Sequence, residues 1–258
     1  GQAAGFRSTN FTVQGTGDTM RDAAKWLYPG MLVLVVLMLV AMTTPPASRG
    51  LGYDPNLATL EEAARIDLGD DPFIVVAPDI DGDGLADIVV TNLANGTLSV
   101  IRNLGDDGLG EPRVYPLASG VFGVTPGDLN GDGYIDLVVS NERTNQLSLL
   151  VNDGRGTFAS RTDVPIGSGP HVTAVADFNG DSLADIGSPS YHTNSVNVML
   201  NLGDGTFGEP TRHTVHQQPF SSVAADLNSD GAPDIAVASY TEGYVDVLWN
   251  DGRGGFSI

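Results

Sequence analysis

Four short stretches of the chain place oxygen-bearing side chains at alternate positions: DIDGDGLAD from Asp79, DLNGDGYID from Asp128, DFNGDSLAD from Asp177 and DLNSDGAPD from Asp226. Positions 1, 3, 5 and 9 of each carry Asp or Asn, and the residue at position 7 can add its backbone carbonyl. The ligand sets so defined are Asp79, Asp81, Asp83, Leu85 and Asp87; Asp128, Asn130, Asp132, Tyr134 and Asp136; Asp177, Asn179, Asp181, Leu183 and Asp185; and Asp226, Asn228, Asp230, Ala232 and Asp234. Alternating oxygens on a tightly curled loop converge on one point, and glycines permit the curl. Carboxylates packed this closely repel unless a cation lies between them. Calcium takes six to eight hard oxygen ligands in irregular geometry, whereas magnesium demands a near-ideal octahedron. The expected chemistry is calcium binding, up to four ions with one per loop.

An EF-hand also begins D-x-D-x-D-G, but it needs a bidentate Glu at position 12 and a helix on each side. Position 12 here is Val90, Val139, Ser188 and Val237, and the flanks are strand-like, so that reading fails. Ser182 and Ser229 replace glycines in the third and fourth loops, which are expected to bind more weakly while keeping their ligands.

The elements that must hold these loops repeat with them. Each loop starts 49 residues after the last, and two other landmarks keep the same step: Phe73, Phe122, His171 and Phe220 before the loop, and Asn103, Asn152, Asn201 and Asn250 after it. Within a repeat, short apolar runs alternate with turn residues. Asp87–Thr91 and Thr97–Arg102, joined through Asn95-Gly96, read as a β-hairpin. A Gly-rich turn then leads to Arg113–Leu117, read as the next outer strand. About four strands per repeat is the content of a propeller blade. The fold class expected is all-β, a β-propeller of four repeats over residues 57–258.

The loops, with VFGVTPGDLNGDG at 121–133 and GPHVTAVADFNGD at 169–181, resemble the FG-GAP/VCBS repeats of integrin α-subunit propellers and many bacterial surface proteins. The resemblance implies calcium in the loop between the second and third strands of each blade, and binding, adhesion or scaffolding in place of catalysis. Such propellers usually close with about seven blades, so four repeats imply either part of a longer array or a closed four-bladed ring.

Composition adds direction. Net charge is −20, and because residues 1–50 hold four basic and two acidic side chains, the excess acid lies in the repeats. A surface that acidic excludes nucleic acid as a partner of the repeats. There is no cysteine, so neither disulfides nor a Cys-based zinc site can staple the fold.

Residues 26–44 carry no charge, and Met31–Met42 is continuously apolar. This stretch is expected to span a bilayer as a single helix, with residues 1–25 cytoplasmic and 45–56 a Pro/Gly-rich linker. The repeats would then lie outside, in the periplasm or at the cell surface, and the helix would dock into a larger membrane complex. A cleaved signal peptide and a buried core helix are the competing readings. No G-x-S-x-G elbow, P-loop or dinucleotide fingerprint is present. His213 and His216, three apart on a strand, face opposite sides and make a poor metal pair, while His171 is expected to pack as a substitute for Phe. The expected role is a non-catalytic protein-binding or scaffold module. The alternatives are a secreted adhesin or carbohydrate-binding module, and an enzyme with a site on the propeller axis.

Overall fold

The computed structural model describes residues 66–68 and 71–258, apart from 204 and 242. The expected membrane-spanning stretch 26–44 and its flanks lie outside the described residues; among those described, no helix is long and apolar enough to cross a membrane.

Each repeat folds into one four-stranded antiparallel sheet. The first comprises β1 (Pro72–Val76), β2 (Ile88–Asn92), β3 (Thr97–Ile101) and β4 (Arg113–Pro116). The second comprises β5 (Val121–Gly127), β6 (Asp136–Asn141), β7 (Gln146–Val151) and β8 (Ser160–Pro165). In the third, β9 (Ala174–Ala176), β10 (Asp185–Ser190) and β11 (Ser195–Met199) are completed by β14 (Thr211–Thr214), after a small ribbon of β12 (Asn201–Gly203) and β13 (Thr206–Phe207). The fourth holds β15 (Pro219–Ala225), β16 (Asp234–Ser239), β17 (Val245–Asn250) and a short edge strand β18 (Phe256–Ser257). The one helical turn among the described residues is a 3-10 turn at Gly105–Asp107.

The sequence period is also the register of the hairpins: Ile88 pairs Ile101, Leu137 pairs Leu150, Ile186 pairs Met199 and Ile235 pairs Leu248. The hairpin turns need one residue at positive φ, and Gly96, Asn145, Asn194 and Gly243 occupy that position with φ of 52–71°. Glycine carries no Cβ penalty there and asparagine tolerates the region. Arg113–Pro116 completes the first sheet by pairing with β3, which gives the four strands per repeat expected from the sequence. One expectation is corrected. The Asp-rich loops consequently join the first and second strands of each sheet, not the second and third. The Gly-rich turn before Arg113 is short enough to fold the chain straight back onto β3, the antiparallel neighbour it has just left.

Alternation along each strand gives both faces apolar residues, and a core forms between consecutive sheets. Ile80, Val89 and Leu98 of the first sheet meet Val124, Leu137, Val139, Leu150 and Phe158 of the second. Leu129, Val138, Leu147 and Leu149 meet Ile186 of the third sheet. Phe178, Val196 and Val198 meet Ile235, Val237 and Leu248 of the fourth. Near the start of the inner strands the four landmark rings gather: Phe122 lies 4.6 Å from Phe73, 4.0 Å from a stacked His171 and 5.4 Å from Phe220. His171 is 3% exposed and packs in place of the Phe of the other repeats. Gly123 is required here, since a Cβ would lie 3.0 Å from the Val172 backbone of the third sheet. Among the described residues the four sheets are separate in their strand pairing, and none closes on itself.

Candidate functional site

Each Asp-rich loop is wound around its own carboxylates. The position 1 side chain accepts the backbone N–H groups of positions 4 and 6: Asp79 from Gly82 (2.8 Å) and Gly84 (2.9 Å), Asp128 from Gly131 and Gly133, Asp177 from Gly180 and Ser182, and Asp226 from Ser229 and Gly231. Asp128, Asp177 and Asp226 also accept the position 5 N–H. The position 5 carboxylates of Asp83, Asp132, Asp181 and Asp230 each accept the N–H of position 7, which is Leu85, Tyr134, Leu183 and Ala232 in turn. At position 3, Asn130, Asn179 and Asn228 each donate from Nδ2 to the position 5 carboxylate at 2.9 Å. Asp81, which has no amide, pairs instead with Arg102. Ser182 and Ser229 hold the same left-handed backbone as the glycines they replace, at φ of 71° and 66°.

Position 9 ties the loop to the sheet. Asp87, Asp136, Asp185 and Asp234 are fully buried. One oxygen of each accepts the N–H of position 2, as in Ile80 to Asp87 at 2.9 Å, and the other accepts the N–H of the asparagine sixteen residues on, as in Asn103 to Asp87 at 2.7 Å. The same pair of bonds recurs at Asp136, Asp185 and Asp234. Burial pushes the carboxyls of Asp87, Asp136 and Asp185 above their ordinary range; the two N–H donors pull them back, and the carboxylates at positions 5 and 1 add to the rise. A cation beside them would relieve that repulsion.

The first loop brings Asp79, Asp81 and Asp87 together, with one ligand atom of each within 4.8 Å of the others. Asp83 stands outside this trio. Among the described residues no other three acidic or histidine side chains approach so closely. The second, third and fourth loops have Asn at position 3, so their carboxylates number one fewer. Each carboxylate oxygen that takes one N–H retains lone-pair capacity for an ion, and the donor set is all hard oxygen, which fits calcium.

Between the first two loops runs a groove of about 430 Å³ lined by Pro78, Asp79, Gly82, Pro126, Gly133 and Tyr134. Tyr134 is 45% exposed there. The two histidines of the H-x-x-H pair go to separate partners: His213 packs edge-on against Phe256, while His216 Nδ1 lies 2.6 Å from Asp246 Oδ1 and its ring stacks on Tyr244.

Sequence reasoning used the asparagines at 103, 152, 201 and 250 only as markers of the period. In the structure they are the staple of the site. Nδ2 of Asn152, Asn201 and Asn250 donates to the position 8 carbonyl of its own sheet and to a carbonyl of the preceding sheet, 72 residues back. Their recurrence in step with the loops was the available signal.

Among solved structures the chain is similar to a lectin of Agrocybe aegerita that recognises non-reducing terminal N-acetylglucosamine, at 25% identity and a TM-score of 0.50, over 72% of this chain and 51% of that one. It is also similar to the Tc holotoxin pore of Photorhabdus luminescens, at 25% identity and a TM-score of 0.41, over 76% of this chain and 9% of that one. A third is BBS1N in complex with ARL6DN, at 14% identity and a TM-score of 0.49, over 76% and 55% of the two chains. The chain thus spans about half or less of the length of these proteins. No match is found among curated proteins. The FG-GAP-like repeat matches residues 79–139, 128–188 and 189–237, which is more than half of the sequence, and the chain belongs to that repeat family.

Proposed function

We infer that the protein is a non-catalytic binding module whose sheets are stabilised by calcium in the Asp-rich loops and whose ligand-facing surface lies beside those loops. The observation that carries this reading is the convergence of Asp79, Asp81 and Asp87 at the edge of an open groove, on a scaffold that repeats the same loop four times. Asp79, Asp81 and Asp87 would hold the ion in the first loop, with Asp128, Asn130 and Asp136, Asp177, Asn179 and Asp185, and Asp226, Asn228 and Asp234 as their counterparts. The position 5 carboxylates, Asp83, Asp132, Asp181 and Asp230, and the carbonyls of Leu85, Tyr134, Leu183 and Ala232 complete each set. In this reading the module lies outside the cytoplasm, where calcium is abundant, held by an anchor at residues 26–44 that leaves residues 1–25 inside. Its partners are proteins, among them subunits of a membrane complex met through that anchor.

Chelation tests the reading directly. Removing calcium should lower the melting temperature by ligand linkage, and calorimetry of the Asp132→Ala chain should show one site fewer than the parent. An unchanged melting temperature in chelator would leave the loops as turns only.

A second reading is favoured by one observation. The Agrocybe aegerita lectin is the similar structure with the highest TM-score of the three, and Tyr134 offers an exposed ring in a groove that Asp79 also lines. A pyranose stacks on such a ring while its hydroxyls meet Asp79. Binding of glycans to the parent chain but not to Tyr134→Ala distinguishes a carbohydrate ligand from a protein one.

A further inference from the structure

Basic side chains are scarce in this protein, 12 against 32 acidic ones, yet three arginines line one cavity. It lies at the joint of the first two sheets, has a volume of about 250 Å³, and is walled by Arg102, Arg113, Arg155, Thr157, Glu111 and Leu104. Arg102 follows β3 and Arg113 opens β4, while Arg155 sits on the turn between β7 and β8, so both sheets contribute.

The fold does not require these arginines. The same three positions of the repeat are Val151, Thr162 and Asp204 at the second joint, and Leu200, Thr211 and Arg253 at the third, and both of those joints form. Nor are the charges spent on neighbours. Of the three, only Arg102 is engaged in an ion pair among the described residues, with Asp81, although carboxylates abound in the chain. Glu111 is the one carboxylate among the lining residues.

The surroundings hold the cations in place. Arg113 Nη1 donates to Thr157 Oγ1 at 2.8 Å, and its guanidinium lies 5.4 Å from the centre of the Tyr115 ring. Tyr115 in turn packs edge-on against Phe158 at 5.6 Å. The turn that carries Arg155 is clamped by Asp153 Oδ1, which accepts the N–H groups of Arg155 (3.0 Å) and Thr157 (3.2 Å). Gly156 presses so closely on the first loop that a Cβ there would lie 3.2 Å from Ile80. Guanidinium forks match the oxygens of carboxylate, sulfate and phosphate. Charges beyond about 8–10 Å are screened at physiological salt, so the cavity's own arginines outweigh the acidic surface further off.

We propose that this cavity binds a small oxyanion, a carboxylate, sulfate or phosphate group on a molecule the size of one sugar acid, through Arg113 and Arg155 with Arg102 as the third cation. The site shares no lining residue with the groove of Asp79 and Tyr134, and it needs no calcium.

The full-length chain with isotopically labelled arginine, in mild detergent and calcium-free buffer, can be titrated with sulfate, phosphate, glucuronate and uncharged glucose while chloride holds the ionic strength constant. The Nε–H resonances of Arg113 and Arg155 should shift saturably with at least one oxyanion and not with glucose, and the tightest probe tells a planar group from a tetrahedral one. Arg253, the counterpart of Arg155 at the third joint, should not follow. Arg155→Gln should weaken binding about tenfold or more, Glu111→Gln should tighten it, and Arg253→Gln should leave it unchanged. Arg155 and Glu111 are exposed, so these variants keep the fold. Shifts that never saturate, or that appear equally at Arg253, would mean screening alone and overturn the proposal. So would undiminished binding by Arg155→Gln.

Discussion

Asn152→Ala and Asn103→Ala remove the same side chain from the same place in the repeat, yet they should not cost the same. The Asn152 side chain is 3% exposed and makes four hydrogen bonds: Nδ2 to Ile80 O (2.6 Å) and Ile135 O (2.9 Å), and Oδ1 from the N–H groups of Gly154 (3.0 Å) and Gly156 (3.1 Å). Asn103 is half-buried and makes two, to Ala86 O (3.1 Å) and from Gly105 N–H (3.1 Å). At about 1 kcal/mol of net stability for each hydrogen bond, Asn152→Ala should cost about 4 kcal/mol, and more if water fails to reach the stranded Ile80 carbonyl. Asn103→Ala should cost about 1–2 kcal/mol, because water can replace its partners. Both variants keep the backbone N–H that binds the buried Asp, so the comparison isolates the side chain. Urea unfolding followed by circular dichroism, in dilute protein with excess chelator, measures the difference free of metal and of association. Equal losses in the two variants would refute the claim that the asparagine binds sheet to sheet.

Two further outcomes follow from the same geometry. Ser182 sits at φ 71° while its N–H binds Asp177 at 2.7 Å; since the left-handed region costs an L-residue about 1–2 kcal/mol and glycine returns part of that to the unfolded chain, Ser182→Gly should stabilise by about 0.5–1 kcal/mol. Thermal melting reads this, and a fall in melting temperature would show that the hydroxyl matters more than the backbone. His171 is buried, neither ring nitrogen has a hydrogen-bond partner, and Glu142 Oε1 is 3.8 Å from Nε2. Burial holds its pKa below the usual histidine value, with Glu142 opposing and His192 adding to the fall. Below about pH 6.5 the unfolded chain binds a proton that the folded chain refuses, so stability falls as pH drops through that window, by about 1.4 kcal/mol per unit until the folded pKa is reached. His171→Phe removes that contribution, and the parent and variant stabilities should therefore diverge on acidification. Parallel pH profiles would contradict it.

Much of the architecture was legible because a fixed 49-residue step leaves little freedom: once Ile88 pairs Ile101, the same register must recur further along, at Leu137 with Leu150 and at Ile235 with Leu248. Oxygen side chains at alternate positions also announced a shared centre. What the sequence concealed was partnership across distance. The bonds from Asp136 to Asn152, and from Asn152 to Ile80 one sheet away, involve residues whose types are ordinary in turns. Arg102 is another case. It stands where the other repeats have Val151, Leu200 and Trp249, and its pairing with Asp81 compensates the one loop that has Asp in place of Asn at position 3.

The double duty of the carboxylates decides which substitutions can speak about calcium. The position 9 aspartates are buried acceptors of two backbone N–H groups, so removing one leaves unmatched donors inside the sheet whether or not an ion is bound. The position 1 aspartates close the loop by accepting several backbone N–H groups, three at Asp128, and carry the same ambiguity. Positions 3 and 5 differ. Asn130 is half-buried and Asp132 exposed, and they bind mainly each other and the next N–H of the loop. Their loss costs little in the metal-free protein but removes ligands from the ion. A change at Asp132 that is nearly silent in chelator and destabilising in calcium therefore isolates the metal from the fold, whereas a loss at Asp136 in both conditions says only that the sheet needs its buried acceptor.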